Sequence, residues 1–136
     1  MDQKDRAILS CLSKDGRIRM SQIAENVGLT ATAVSQRVNK LVEDKVIRGF
    51  SVDLDQGKLG MTIQAMISVK LNFPRMEDFN KVLSEFQEIE YCFRVTGEDC
   101  IMMKVNLRDN SHLLQFINNM SRYGFTKSSV ILEQLV

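Results

Sequence analysis

Residues 20–45, MSQIAENVGLTATAVSQRVNKLVEDK, carry two apolar periods separated by one glycine, and that break constrains the fold more than any other feature of the chain. Ile23, Ala24 and Val27 fall at helical spacing, Gly28 can take the left-handed conformation that ends a helix, and Thr30 can cap the next through its side-chain oxygen. Val34, Val38, Leu41 and Val42 then recur at spacings of four, three and one, so at ~100° per residue they form one stripe. Two helices meeting at a short Gly-containing turn are a helix-turn-helix pattern. The outward face of the second helix holds Thr32, Ala33, Gln36, Asn39 and Lys40 with Arg37 on its flank, while Glu43 and Asp44 come only in the last turn. Gln and Asn can pair with adenine edges in the major groove of double-stranded DNA, Ser and Thr can reach base or phosphate, and Arg and Lys grip phosphates. Thr30, Thr32, Ser35, Gln36, Arg37, Asn39 and Lys40 are therefore the expected DNA-binding residues. An ordinary amphipathic surface helix also turns polar residues outward; the preceding helix and the glycine turn favour the groove.

A first helix is predicted from Gln3 to about Lys14, capped by Asp2, ended by Gly16, with Ile8, Leu9 and Leu12 on one face. A short strand is expected over 46–54, and 56–60, with Gly57 and Gly60, reads as a hinge. From Thr62 the period becomes two: Ile63, Ala65, Ile67, Val69 and Leu71 alternate with their neighbours and stop before the only proline, Pro74. Helical spacing returns over 76–87. Ile89, Tyr91, Phe93 and Val95 alternate, Gly97-Glu98-Asp99 turns, and Ile101, Met103, Val105 and Leu107 alternate again. Leu113, Phe116, Ile117 and Met120 mark another helix, and 125–135 a last strand. The order β-α-β-β-α-β is ferredoxin-like, with two helices on one face of a four-stranded antiparallel sheet. The class is α+β: a winged helix-turn-helix head at 1–50, a linker at 51–60 and the sheet domain at 61–136.

This topology leaves the second face of the sheet without a layer. Met66, Cys92, Met102 and either Val130 or Ile131, depending on register, fall on it, and a second copy's identical face could cover it, giving a homodimer with paired heads for a two-fold operator. Scattered Met and Cys on a polar surface are also tolerable without a partner.

Charge follows the same division. Nine basic side chains stand against six acidic ones through Phe50 (net +3), and nine against eleven beyond it (net −2), the signs expected of a DNA-facing head on a slightly acidic body. Three cysteines, Cys11, Cys92 and Cys100, with no CxxC, argue against a disulfide framework and for a reducing, cytoplasmic setting. His112 is the only histidine, so no His/Cys metal cluster is expected and it reads as a structural or surface residue. No apolar run reaches the ~18 residues of a membrane span. Without a nucleophile elbow, GxGxxG or phosphate loop, the chain is expected to be neither an enzyme nor a carrier of cofactor or metal.

Asp5-Arg6-x-Ile8-Leu9, Asp15-Gly16-Arg17-Ile18, Val27-Gly28-Leu29-Thr30 and Val34-x-x-Arg37-Val38-x-x-Leu41 together resemble the leucine-responsive regulatory protein/AsnC (Lrp/AsnC) family of transcription regulators. Val46-Ile47-Arg48-Gly49-Phe50 looks like that family's strand after the recognition helix, and Val95-Thr96-Gly97-Glu98-Asp99 resembles its effector-domain turn, so the likeness spans nearly the whole chain. Departures are Arg19 where a capping Ser is frequent, Ala31 where Pro is common and Cys100 where an aromatic is usual. The resemblance implies a regulator whose C-terminal domain oligomerises, to dimers and in some members octamers, and senses a small molecule such as an amino acid. It also implies that the strand at 46–54 helps two chains associate. By residue type alone, 95–99 is an ordinary hairpin turn. By the resemblance, Val95, Thr96, Gly97, Glu98, Asp99 and Cys100 line an effector pocket between neighbouring dimers, with N–H groups near Gly97 for a carboxylate, Glu98 or Asp99 for an ammonium, and Cys100 leaving a roomier pocket or a different ligand. A sirohaem-decarboxylase-like enzyme and an effector-independent architectural protein are the competing classes.

Overall fold

The computed structural model describes residues 1–71, 76–98 and 100–135, which fall into two compact units, Met1–Asp53 and Leu54–Val136. The first contains α1 (Gln3–Lys14), α2 (Met20–Val27) and α3 (Ala31–Glu43). Each start follows from its side chains. Asp2 and Asp5 close a reciprocal capping box on α1, and Thr30 Oγ1 accepts the Ala33 N–H at 3.2 Å on α3. Arg19 has no acceptor to offer α2, so only the returning half forms there, from the Arg19 N–H to Gln22 Oε1 at 3.2 Å. Gly28 ends α2 at φ 64°, and the Lys4 ammonium bonds the Val27 carbonyl at that helix's negative end. Ile8, Ile23, Ala24, Val27, Val34 and Val38 form the core, flanked by Leu12, Ile18, Leu29 and Ile47.

Two expectations fail in this unit. Val42 is 43% exposed rather than part of the buried stripe: each four-residue step advances ~40° around the helix, so the walk from Val34 through Val38 leaves the seam and Leu41 fills it instead. Residues 46–54 form no strand. A strand needs neighbouring backbone to take its hydrogen bonds, and no described segment pairs with this one. Ile47 is tied back through its N–H to Leu41 O at 3.0 Å, while Val46, Phe50, Val52 and Leu54 stand exposed.

The second unit runs β1 (Ile63–Leu71), α4 (Met76–Val82), β2 (Ile89–Arg94), β3 (Ile101–Leu107), α5 (Asn110–Ser121) and β4 (Gly124–Val130). The antiparallel sheet has the order β2-β3-β1-β4. Ala65, Ile67, Val69, Ile101, Met103, Val105 and Leu107 face Phe79 of α4 and Phe116 and Met120 of α5, which is the expected ferredoxin-like core. The helix expected over 76–87 is shorter: after a 3-10 turn at Leu83–Glu85, Phe86 takes extended backbone and packs edge-on against Phe116 at 5.6 Å. The last strand stops at Val130 because its partner runs out. Val130 already lies opposite Ala65 near the start of β1, and only the Ile131 N–H to Gln64 O bond, 2.8 Å, continues the ladder. Pro74 and Asp99 lie outside the described residues.

The faces of β2 are opposite to those expected. Ile89 lies across from Val105 and Tyr91 across from Lys104, so Glu90 is an extra residue, a β-bulge that inverts the alternation after it. Cys92 therefore sits opposite Met103 and packs on the core, while Tyr91 and Phe93 join Met66 and Met102 on the uncovered face. The Glu90 carboxylate anchors the bulge, accepting from Lys104 Nζ at 3.0 Å and Asn106 Nδ2 at 3.1 Å. Burial raises its pKa, but the bonds from Asn106 and Lys104 outweigh that and hold it below the ordinary value.

β4 packs against β1 without room for a side chain at its start, where a Cβ on Gly124 would run into Lys70 O and lie 2.9 Å from Leu71 Cα. Gly124→Ala is expected to cost roughly 1–3 kcal/mol of stability as backbone gives way. Gly16→Ala, which meets nothing within 4 Å, should shift it by under about 1 kcal/mol, and urea unfolding of the two variants checks the contrast.

Candidate nucleic-acid interface

The interface is built on α3, whose Val34, Val38 and Leu41 are buried and fix its rotation. That rotation turns Thr32, Gln36, Asn39 and Lys40 into solvent, an arrangement able to offer amide, hydroxyl and ammonium groups to a groove. Two residues expected beside them are occupied otherwise. Thr30 caps the helix, and the half-buried Ser35 returns its hydroxyl to Ala31 O at 3.0 Å. Arg37 Nη1 lies 2.7 Å from both Asp2 Oδ2 and Asp5 Oδ1. The sequence offers Asp2 as the cap of α1 and Asp5 as a first-turn acid that complements the helix dipole, neither as a partner of Arg37. Their three-residue spacing places both carboxylates on the first turn of α1, the one available signal for a second role.

Electrostatics match that geometry. The Asp5 N–H first, and then the Arg37 guanidinium, hold the Asp2 carboxyl below its ordinary value; the Asp2 N–H and Arg37 do the same for Asp5, and the two carboxylates raise Arg37 further.

In the body, the turn expected to bind an effector is closed by the Val95 N–H to Cys100 O bond at 2.8 Å. Thr96, Gly97 and Glu98 are exposed, and Gly97 has φ 107°. Cys100 points inward, its Sγ 3.6 Å from Val69 O and 3.5 Å from the Leu71 N–H. Asp99 is outside the described residues. The uncovered face, expected at Met66, Cys92 and Met102, keeps both methionines, loses Cys92 and gains Tyr91, Phe93 and Phe125, with Ile131 rather than Val130 beside Met66. Tyr91 and Phe93 contact each other at 5.4 Å between centroids, and buried Asn106 Oδ1 on this face has no hydrogen-bond donor among the described residues. His112 accepts the Arg108 N–H at Nδ1 (3.3 Å) and meets Glu88 at Nε2 (2.9 Å), tying α5 to the start of β2. Among the described residues no three His, Cys, Asp or Glu side chains converge as a metal site, and no helix is long and apolar enough to cross a membrane.

A helix-turn-helix head followed by a ferredoxin-like domain defines a class of DNA-binding proteins with an appended regulatory domain. The winged helix-turn-helix DNA-binding profile matches residues 1–48 and the Lrp/AsnC ligand binding domain profile matches residues 64–136. The chain is 29% identical over 135 residues to the HTH-type transcriptional regulator LrpC of Bacillus subtilis, covering 99% of this chain and 94% of that one. It is 31% identical over 139 residues to LrpA of Pyrococcus horikoshii, covering 99% of each. The solved structure of B. subtilis LrpC superposes with a TM-score of 0.93 over 100% of this chain and 97% of that one. The chain belongs to the Lrp/AsnC family and is a DNA-binding transcription regulator with a ligand-binding domain.

Because the folded-state pKa values of Asp2 and Asp5 are depressed, their contribution to stability is fully present above the ordinary 3.8 and is lost as pH falls below it. Circular-dichroism melts from ~pH 4 down to ~pH 2 are expected to lose melting temperature more steeply in wild type than in Arg37→Met, which no longer has the pair. Equal slopes in the two proteins would sever Arg37 from this acid sensitivity.

Proposed function

We propose that this regulator acts in the cytoplasm as a homodimer, reads a specific operator with α3, and answers a small molecule, of the amino-acid class, at the turn formed by residues 95–100. The observation that carries the reading is the exposed row Thr32, Gln36, Asn39 and Lys40, four side chains with no part in the core, on the helix that the motif presents to DNA. In this reading Gln36 and Asn39 pair with base edges, Thr30, Thr32 and Ser35 approach the backbone, and Lys40 and Arg37 meet acceptors on the duplex. Residues 51–60 serve as the hinge between head and body.

Dimerisation through the uncovered sheet face is supported by its apolar content. Phe93 is 57% exposed and Phe125 65% exposed, and Asn106 Oδ1 awaits a donor. The exposed alternating side chains of 46–54 are a second surface for the same association. The effector reading rests on the match of residues 64–136 to a ligand binding domain and on the exposed turn at Gly97, whose N–H groups suit a carboxylate while Glu98 or Asp99 suits an ammonium. Assembly to an octamer would bring the turns of neighbouring dimers together.

For DNA, Gln36→Ala is expected to change base preference at one position at a cost of ~1–3 kcal/mol of discrimination, whereas Lys40→Ala weakens all duplexes alike and lowers the salt slope by about one. Binding titrations at several salt concentrations decide it; if neither variant changes affinity, preference or slope, α3 does not read the duplex.

For the body, two variants should separate assembly from sensing. Met102→Asp buries an unpaired carboxylate and is expected to give monomers by light scattering. Gly97→Val forces a β-branched residue to positive φ and should abolish the rise in melting temperature caused by the responsive amino acid, leaving the oligomer intact. An unchanged mass in the first, or an unchanged thermal response in the second, refutes the corresponding half.

A further inference from the structure

The capping box of α1 is also a receptor for a side chain of α3. Each of its carboxylates divides its two oxygens. Asp2 Oδ1 accepts the Asp5 N–H at 2.8 Å and Oδ2 accepts from Arg37 Nη1 at 2.7 Å; Asp5 Oδ2 accepts the Asp2 N–H at 2.8 Å and Oδ1 accepts from the same Nη1 at 2.7 Å. Both hydrogens of Nη1 are thereby committed. Among the described residues no other protein acceptor bonds the guanidinium, so its Nε–Nη2 edge, three of five donors, stays available. The Arg37 side chain keeps 34% exposure and borders, with Gln36 and Lys40, a concavity of about 750 Å³.

A long arginine surrenders rotamer freedom when it meets a ligand, whereas one already held at Nη1 by two charge-assisted bonds has surrendered it beforehand. The arrangement also carries an electrostatic cost. Two carboxylates beside a DNA-facing helix oppose the attraction of phosphates. Capping alone does not require that cost, since Ser, Thr or Asn caps as well without charge.

We propose that Asp2 and Asp5 are positioning residues for DNA recognition: by gripping Nη1 they aim the free Nε–Nη2 edge of Arg37 at a pair of acceptor atoms on the duplex. A guanine O6/N7 edge and a phosphate both present that pair. The proposal rests on α3 being the helix that reads DNA.

Asp2→Asn and Asp5→Asn test it, because Asn caps as well as Asp but cannot hold a guanidinium by charge. Electrostatics alone predicts that deleting a negative charge beside DNA tightens binding; positioning predicts the opposite for the preferred sequence. For a duplex enriched by the wild type from a random pool, Asp5→Asn is expected to weaken binding about tenfold. Affinity for a random-sequence duplex should stay level or tighten. In an Arg37→Ala background Asp5→Asn should have no further effect, since it acts through Arg37. If Arg37→Ala loosens the head, Arg37→Lys replaces it, keeping the charge but losing the second edge.

Unchanged or tighter binding of the enriched duplex by both Asn variants, with wild-type melting curves, overturns the proposal, as do additive losses in the double variant. Within a positive result, a salt slope lower by about one in Arg37→Ala assigns the free edge to a phosphate, and an unchanged slope with relaxed preference at one base pair assigns it to guanine. Failure of the underlying reading is separately visible: Gln36→Ala and Lys40→Ala would then both bind as wild type.

Discussion

Side-chain parity along the strands is the constraint on which the body depends. Two helices can cover only one face of a four-stranded sheet, so every strand residue is assigned to the core or to the open face by whether it sits an even or odd step from its neighbours. β1 and β3 keep that count without interruption from Val69–Ile101 to Ile63–Leu107, which is why their eight buried or half-buried core positions agree with simple alternation. β2 does not. One additional residue at Glu90 exchanges its faces, sending Cys92 inward and the rings of Tyr91 and Phe93 outward. The bulge is held by charge: Glu90 binds Lys104 and Asn106, residues already on the open face, so its carboxylate draws the chain toward that side.

The head obeys a helical period instead, and its caps connect helices as well as end them. Lys4 fastens the carboxyl end of α2, and Asp2 and Asp5, a few atoms away on the same first turn of α1, fasten α3 through Arg37. One turn thus ties both arms of the helix-turn-helix, leaving the buried stripe to set rotation and the polar contacts to set how the helices lie along one another. This division explains why Arg37 stands on the flank rather than the outward face: from there it can reach α1 and still present an edge beyond it.

Local signals were legible in the sequence wherever a single residue type is nearly obligatory. Asp2 and Thr30 as caps, Gly28 as the helix stop and the two-residue alternation of β1 and β3 all appear where expected. What escaped depends on partners distant along the chain. The bulge at Glu90 is specified by Lys104 and Asn106, fourteen and sixteen residues on; the early end of β4 by where β1 starts; the failure of 46–54 to form a strand by the lack of a neighbour. The Arg37 pair spans more than thirty residues. For the turn at 95–100, pattern located the loop correctly, but the inward direction of Cys100 follows from its contacts with β1 and could not be read from the substitution of cysteine for an aromatic.

The inversion of β2 changes the energetics of the proposed dimer. With Cys92 outward, the open face would offer Met66, Met102 and, from β4, Phe125; the inversion adds the rings of Tyr91 and Phe93 to these. Burying a large apolar side chain contributes roughly 1.5–3 kcal/mol, and association costs on the order of 4–15 kcal/mol in lost translational and rotational freedom. Because Phe93 is 57% exposed against 37% for Met102, its ring has more apolar surface left to bury than the methionine and contributes more toward that cost. The same bulge that keeps Glu90, Lys104 and Asn106 together therefore puts Tyr91 and Phe93 on the face through which the proposed dimer pairs, so in that proposal Glu90 links the register of one strand to the assembly.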